Sequence, residues 1–279
     1  MSVTTNIITA TALSLCVVAE IISPRTHYRL RDRLPGAFFI ILLPICATLM
    51  AVPLSALWRN TFDIGPIIDL SALPTPLLLL VLLLFRYFMN YWQHRIEHWF
   101  LWPAHAVHHV QTDLHAANGY AHPLQLFSEF LFISVPLSLI DTNGIALPLA
   151  VNLIVATQAM IIHSPLRVHM GPLRRILNDS RFHRIHHSRE TRHFDRNFAT
   201  VFTLWDQLFG TAYFPAKDEW PDVGVDGLAN PKTPMAILLY PVHMLTRSTD
   251  RDDQTAGPPA IILTPETVQT AEPQVTAAA

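Results

Sequence analysis

The sequence predicts an all-α fold: a multi-span integral membrane helical bundle with a cytoplasmic helical cap rich in histidine. Three observations predict it. Hydrophobic residues make up 51% of the 279 and charged residues only 14%, where soluble domains carry about a quarter charged. Several stretches stay apolar over the roughly 20 residues needed to cross ~30 Å of hydrocarbon. Of the 15 histidines, nine fall in two short windows, 94–109 and 183–193. The formal net charge of -2 offers no basic excess for nucleic acid. Cys16 and Cys46 lie inside apolar stretches and make neither a disulfide framework nor a cysteine-ligated cluster. Many of the 22 prolines fall in apolar runs, which membrane helices tolerate when neighbours satisfy the freed carbonyls.

Taken in order, residues 6–24 supply a first span, read as an anchor because no basic region precedes it. Residues 34–58 carry no Asp, Glu, Lys or Arg and form the clearest span. Residues 70–91 form a third, centred on Leu77–Phe85 and running into the first histidine window. Residues 124–140 and 144–163 read as a helical hairpin around Asp141 to Gly144; the first of the pair is short, contains Glu129 and is expected only to dip into the bilayer. Arginines crowd the 25–33 loop and the 164–196 region, and basic loops stay cytoplasmic. Counting spans puts that loop, the histidine windows and the C-terminal region on one side. The expected division is 1–69 for N-terminal spans and loops, 70–215 for the histidine-box catalytic domain, 216–247 for a C-terminal cap segment and 248–279 for a disordered tail.

The histidines follow helical spacing. His94 and His98 stand at i and i+4, so both imidazoles lie on one face. His105, His108 and His109 follow at i, i+3 and i+4, with Pro103 in the first turn of a new helix. His183, His186 and His187 repeat that pattern. Neutral imidazole suits iron, zinc, copper and nickel, and eight imidazoles exceed what one tetrahedral ion can use. Two metals sharing them is the economical reading, which makes the cap the holder of a histidine-rich dimetal site. Iron is preferred because zinc has no redox chemistry. His163, at the end of the fifth span, is a ninth candidate ligand. His122 and His169 are possible further ligands or supports; His115 and His193 read as solvated or supporting, and His27 and His243 as bystanders.

With these boxes in order, the sequence resembles the fatty-acid hydroxylase / sterol desaturase superfamily. The resemblance runs from about Tyr91 to Phe214. It rests on the three boxes, Gly171-Pro172-Leu173, Asp195-Arg196-Asn197-Phe198 and Trp205-Asp206-Gln207-Leu208-Phe209-Gly210-Thr211. The Gly-Pro-Leu segment is most similar to the alkylglycerol-monooxygenase and sterol-desaturase branches, and Tyr120-Ala121-His122-Pro123 to the sterol methyl oxidases. The resemblance implies two iron ions, ligated by His94, His98, His105, His108, His109, His183, His186 and His187, with His163 matching a further family histidine. Two departures stand out: Tyr87 where members often have Asp, and Ser180 where they often have Pro.

The function that the resemblance implies is O2-dependent hydroxylation or desaturation of a membrane lipid of sterol, fatty-acyl or alkylglycerol type. The host membrane is a bacterial inner membrane or the endoplasmic reticulum. Asn197 and Asp206 are expected either to orient ligand imidazoles or to fix the turn and the Phe209-Gly210 corner, and Phe85, Phe88 and Trp92 are candidates to line a lateral lipid route, against a simpler reading as packing residues. No electron-carrier segment is visible, so the expected partner is a separate donor: cytochrome b5-like, a ferredoxin or a reductase. Arg189, Arg192 and Arg196 would offer it a basic patch. The residues leave two rival readings. One is a zinc hydrolase using His94-x-x-Glu97-His98 with Glu97 as general base; the other is a non-catalytic membrane metal-binding protein.

Overall fold

Proline sets where the two long apolar helices begin. A computed structural model describes residues 3–22, 25–144, 157–166 and 170–249. Helix α1 covers Val3–Ile22. After a 3-10 turn at Leu30–Arg33, α2 runs over Leu34–Phe62 with Pro35 in its first turn, where a missing N–H costs nothing. It stops at Asp63, whose left-handed backbone (φ 45°) donates its N–H to the Arg59 carbonyl. Helix α3 covers Thr75–Phe100, with Pro74 as N-cap and Pro76 in the first turn. The third span therefore starts later than the expected 70, and it continues without a break through the first histidine box.

Both helices are long and apolar enough to cross a membrane. Only Gly36 and Phe39 of α2 are buried, while Ile41, Ile45, Leu49 and Val52 are 53–70% exposed along one face. An apolar face of that extent needs an apolar surrounding. The described part of α1 counted as apolar, Ala10–Ile22, is shorter, as is α5, Gln125–Ser138. At ~1.5 Å per residue α5 is only about 21 Å long, in keeping with a helix that dips. A π-helical stretch at Phe130–Ser134 interrupts it, and its Glu129 pairs with Arg86 of α3 at 3.5 Å. Of the fifth expected span, only residues 157–163 are described, and they are helical. Of the expected disordered tail, 248–279, residues 248 and 249 instead belong to the helix Tyr240–Thr249, and the rest lies outside the described residues.

The remaining elements are short. Helix α4 is Trp102–His109, α6 Ser180–His186, α7 Leu204–Leu208, α8 Pro234–Leu238 and α9 Tyr240–Thr249. A minor departure from all-helical structure is a two-residue parallel pair, β1 Ile68–Asp69 with β2 Ile140–Asp141, which ties the loop before α3 to the end of α5. A core of Phe39, Ala106, Val107, Tyr120, Ile237 and Tyr240 joins α2, α4, α8 and α9. Gly36 lets α2 approach the 116–118 turn: a Cβ there would overlap the Ala117 carbonyl oxygen. The 25–33 loop packs on the segment around Trp220 and on the end of α1. Arg25 lies over Trp220, and buried Arg33 pairs with buried Glu20, which also accepts from the Ala116 amide and the Ser164 hydroxyl.

Candidate metal centre

Helical spacing brings the box histidines onto buried faces, and the fold sorts them into two groups. His94 and His98 of α3, His105 and His109 of α4 and His186 of α6 form one. His108 of α4, His163, His183 of α6 and His187 at the C-cap of α6 form the other. Within each group one ring nitrogen per residue lies within 4.8 Å of all the others. All nine expected ligands are among these residues. The sorting follows one rule: residues at i and i+4 share a group, and the i+3 residue of each HxxHH box goes to the other. Neighbours one apart on a helix diverge by about 100°, so each HxxHH box contributes to both groups.

Hydrogen bonds fix what four of the imidazoles present. His94 Nδ1 lies 2.7 Å from the Phe198 carbonyl and His186 Nδ1 2.8 Å from that of Arg196. A carbonyl only accepts, so both Nδ1 atoms carry the proton and both Nε2 atoms present lone pairs. Those two Nε2 atoms are 3.0 Å apart. In the second group, His108 Nδ1 donates to the Tyr120 carbonyl at 3.1 Å and His163 Nδ1 to that of Ala159 at 2.6 Å; their Nε2 atoms face each other at 3.2 Å. Each group thus contains an acceptor–acceptor contact that is repulsive unless a cation lies among the nitrogens. Burial, aided by neighbouring imidazoles, holds His108, His109, His183, His186 and His187 well below the usual histidine range, so proton sharing does not relieve it. Buried His98 Nε2 has no protein partner.

The spacing also fits metal coordination. Contacts along the first group, His94–His105 and His105–His109, are 3.1 and 3.0 Å between Nε2 atoms; His163–His183 and His183–His187 in the second are both 3.1 Å. With metal–nitrogen bonds of ~2.1 Å, adjacent ligands sit ~3.0 Å apart in octahedral and ~3.4 Å in tetrahedral coordination. The observed values lie nearer the first, and a group of five exceeds a tetrahedron.

Behind the imidazoles lies a polar frame. His105 Nδ1 is 3.2 Å from Glu97 Oε2. That buried carboxylate also accepts from Gln125 at 2.7 Å, Gln93 at 3.0 Å and the Ser128 hydroxyl. By sequence alone Glu97 stands out only as a rival general base; its i+4 distance from Gln93 is the available signal for a buried network. The carbonyls that hold His94 and His186 come from the 195–199 loop. Asp195 and Asn197 take positive φ, 56° and 60°, a region Asn and Asp enter more readily than other side chains. Asn197 bonds Phe182 and Tyr213 main-chain atoms. Asp206 accepts from the Phe198 and Ala199 amides at 2.8 and 2.9 Å and from Thr211 at 2.7 Å. Burial raises the Asp206 carboxyl to about 6. Both residues bear on the histidines through the loop backbone.

Other expectations divide. His122 belongs to neither group: its Nε2 donates to the Leu238 carbonyl and its Nδ1 accepts from the Leu124 amide, both at 3.1 Å. His169 lies outside the described residues. The solvated reading of His115 and His193 is corrected, since both are buried. His193 sits between Ser188 and Glu219 because the 188–193 turn folds back on the 219–223 segment. His27 and His243 are exposed. Phe88 and Trp92 pack on Trp205 and Phe209, the packing alternative. The Arg189, Arg192 and Arg196 patch is largely spent internally, on Asp226, on Glu190 and Glu219, and on the Gly210 carbonyl.

Comparison with known proteins points the same way. Residues 79–211 match the family described as fatty acid hydroxylase. An alkylglycerol monooxygenase of Homo sapiens is 33% identical over 157 residues, covering 55% of this chain and 34% of that protein. One from Danio rerio is 34% identical over 132 residues, covering 46% and 29%. An ornithine lipid hydroxylase of Rhizobium tropici is 32% identical over 142 residues, covering 49% and 42%. The chain thus matches well under half the length of these relatives. No solved structure matches it.

Proposed function

We propose that this chain, a member of the fatty-acid hydroxylase superfamily, is a membrane di-iron oxygenase that hydroxylates a lipid with O2 and external electrons. The observation that carries the reading is the pair of facing lone pairs, His94 with His186 and His108 with His163. Two cations answer both. The five-nitrogen group would hold one iron and the four-nitrogen group the other. Iron bound there supplies O2 activation and attack on an unreactive C–H bond, chemistry that amino-acid side chains lack. One oxygen atom enters the lipid and the other leaves as water, with two electrons and two protons supplied from outside.

The chain's own residues position and exclude. Fully buried Phe198 lies 5.0–5.7 Å from the rings of His94, His98 and His186, and Trp102 lies 5.5 and 5.4 Å from His98 and His109. These apolar walls keep water from the nitrogens. His98 is the one partly exposed residue among the nine, so the lipid carbon approaches beside it. The named relatives act on an alkylglycerol and on an ornithine lipid, which favours a polar-headed lipid and hydroxylation over desaturation. A separate donor, cytochrome b5-like, ferredoxin or reductase, supplies the electrons. The zinc-hydrolase alternative fits less well, because Glu97 is buried on the Nδ1 side of His105 with its oxygens engaged.

The test is metal content by mass spectrometry on detergent-purified protein, followed by reaction of lipid extracts under isotopically labelled O2. About two irons per chain and label in a lipid alcohol support the proposal. One zinc with no iron defeats it.

A further inference from the structure

The Trp205-to-Thr211 motif supports the histidines through the 195–199 loop, and its other side is pinned edge to edge with the segment that follows Gly171-Pro172-Leu173. Leu177 bridges Phe202, the Thr203 backbone amide donates to the Ile176 carbonyl at 3.1 Å, and the Gln207 side-chain Nε2 donates to that of Arg175 at 2.7 Å. The joined edge shows water four large apolar side chains: Leu173 and Ile176 at 56% exposure, Leu204 at 49% and Leu208 at 64%. Beside them stand two guanidinium groups, Arg174 and Arg175, 5.9 and 5.1 Å from the Phe214 ring. Among the described residues neither has an ion-pair partner.

The inner side of this edge packs on α3 at one level. Tyr87 meets Phe202, Phe88 meets Trp205 and Trp92 meets Phe209, at 5.0–5.4 Å. That level lies between the apolar run of α3, whose Leu77 and Leu80 are about half exposed, and His94. On the proposed membrane residence, it is where the helix leaves the hydrocarbon.

We propose that this edge is a membrane-interface wedge, with its four apolar side chains among the acyl chains and Arg174 and Arg175 on anionic lipid headgroups. Apolar residues with adjacent arginines match that boundary, and the surface continues the exposed apolar face of α3. The inference rests on the proposed membrane residence of the chain.

The test places nitroxide labels on single cysteines at Ile176 and Leu208, with Asp226 as an exposed control (79% exposed), in a chain whose Cys16 and Cys46 are alanine. The labelled chain is reconstituted in zwitterionic and in anionic vesicles. Collision with oxygen relative to a nickel chelate is expected to be severalfold higher at 176 and 208 than at 226. Arg175→Gln is expected to move the 176 label outward in anionic vesicles only. Nickel access at 176 and 208 equal to that at 226 overturns the proposal. So does protection that appears only when an acidic electron-transfer protein is added. An Arg175→Gln variant that leaves the 176 label unmoved overturns the headgroup contact. Iron counted on the same samples separates this result from the oxygenase reading: shallow labels with two irons retained refute the wedge alone, and deep labels without iron refute the oxygenase alone.

Discussion

His94 and His186 are 92 positions apart in sequence, yet their Nε2 atoms stand 3.0 Å apart with both protons held on the far sides of the rings. His122 differs, because both its ring nitrogens are bonded to main-chain groups outside the site. His186→Ala is therefore expected to lower iron well below two per chain and abolish lipid oxidation, and His122→Ala to leave the iron count unchanged. Metal analysis of the two variants decides it; equal iron in both would remove the assignment.

Glu97 orients rather than ligates. Supports of this kind are typically worth about 10–100-fold in metal affinity or activity. Glu97→Gln removes the anionic acceptor for His105 and is expected to weaken iron binding by that order, measured by chelator competition. A variant that keeps full metal affinity while losing hydrolysis of a peptide or ester would instead favour the zinc reading.

Gly119 has an ordinary φ of -76°, so space and not backbone conformation restricts it. A Cβ there would meet His163 Nδ1 at 3.0 Å and the Ala159 carbonyl at 3.2 Å. Gly119→Val is expected to disturb His163 and release metal from the four-histidine group. Gly65→Val, with nothing within 4 Å, is expected to leave both metals in place. If the two variants hold metal equally, His163 does not contribute.

Asp206 supplies a pH test. Burial raises its carboxyl from 3.8 to about 6, so the folded protein binds a proton that the unfolded chain has released between those values. Stability from this group is present below pH 3.8 and lost as pH rises to about 6. About two units at ~1.4 kcal/mol each give ~3 kcal/mol. Unfolding in detergent, wild type minus Asp206→Asn, should fall by that order between about pH 4 and 7. The opposite slope would mean that the bonds from Phe198, Ala199 and Thr211 outweigh burial.

The side-chain half of this centre is legible in the sequence because helical spacing fixes which histidines share a face. Even the sorting into two groups follows from i, i+3 and i+4, although that step needs the knowledge that two boxes face each other. The other half is not legible. The atoms that set the tautomers are main-chain carbonyls of Tyr120, Ala159, Arg196 and Phe198, and a carbonyl leaves no mark in residue identity. The late start of α3 is readable from Pro74 and Pro76. The β1–β2 pair is not, since its two residues carry no alternating pattern. The burial of His193 escapes the sequence because its partner Glu219 lies 26 residues on, in a segment with no regular structure.

Helices α4 and α6 each hand nitrogens to both groups. An ion seated in one group therefore fixes backbone that the other requires, and it does so twice over. Couplings between sites commonly amount to about 1–3 kcal/mol. If both groups take iron as proposed, and with about equal affinity, uptake should be steep, with singly filled molecules a minority. On that reading a shortage of iron would leave a mixture of complete and empty copies, changing the number of working molecules and not the behaviour of each one.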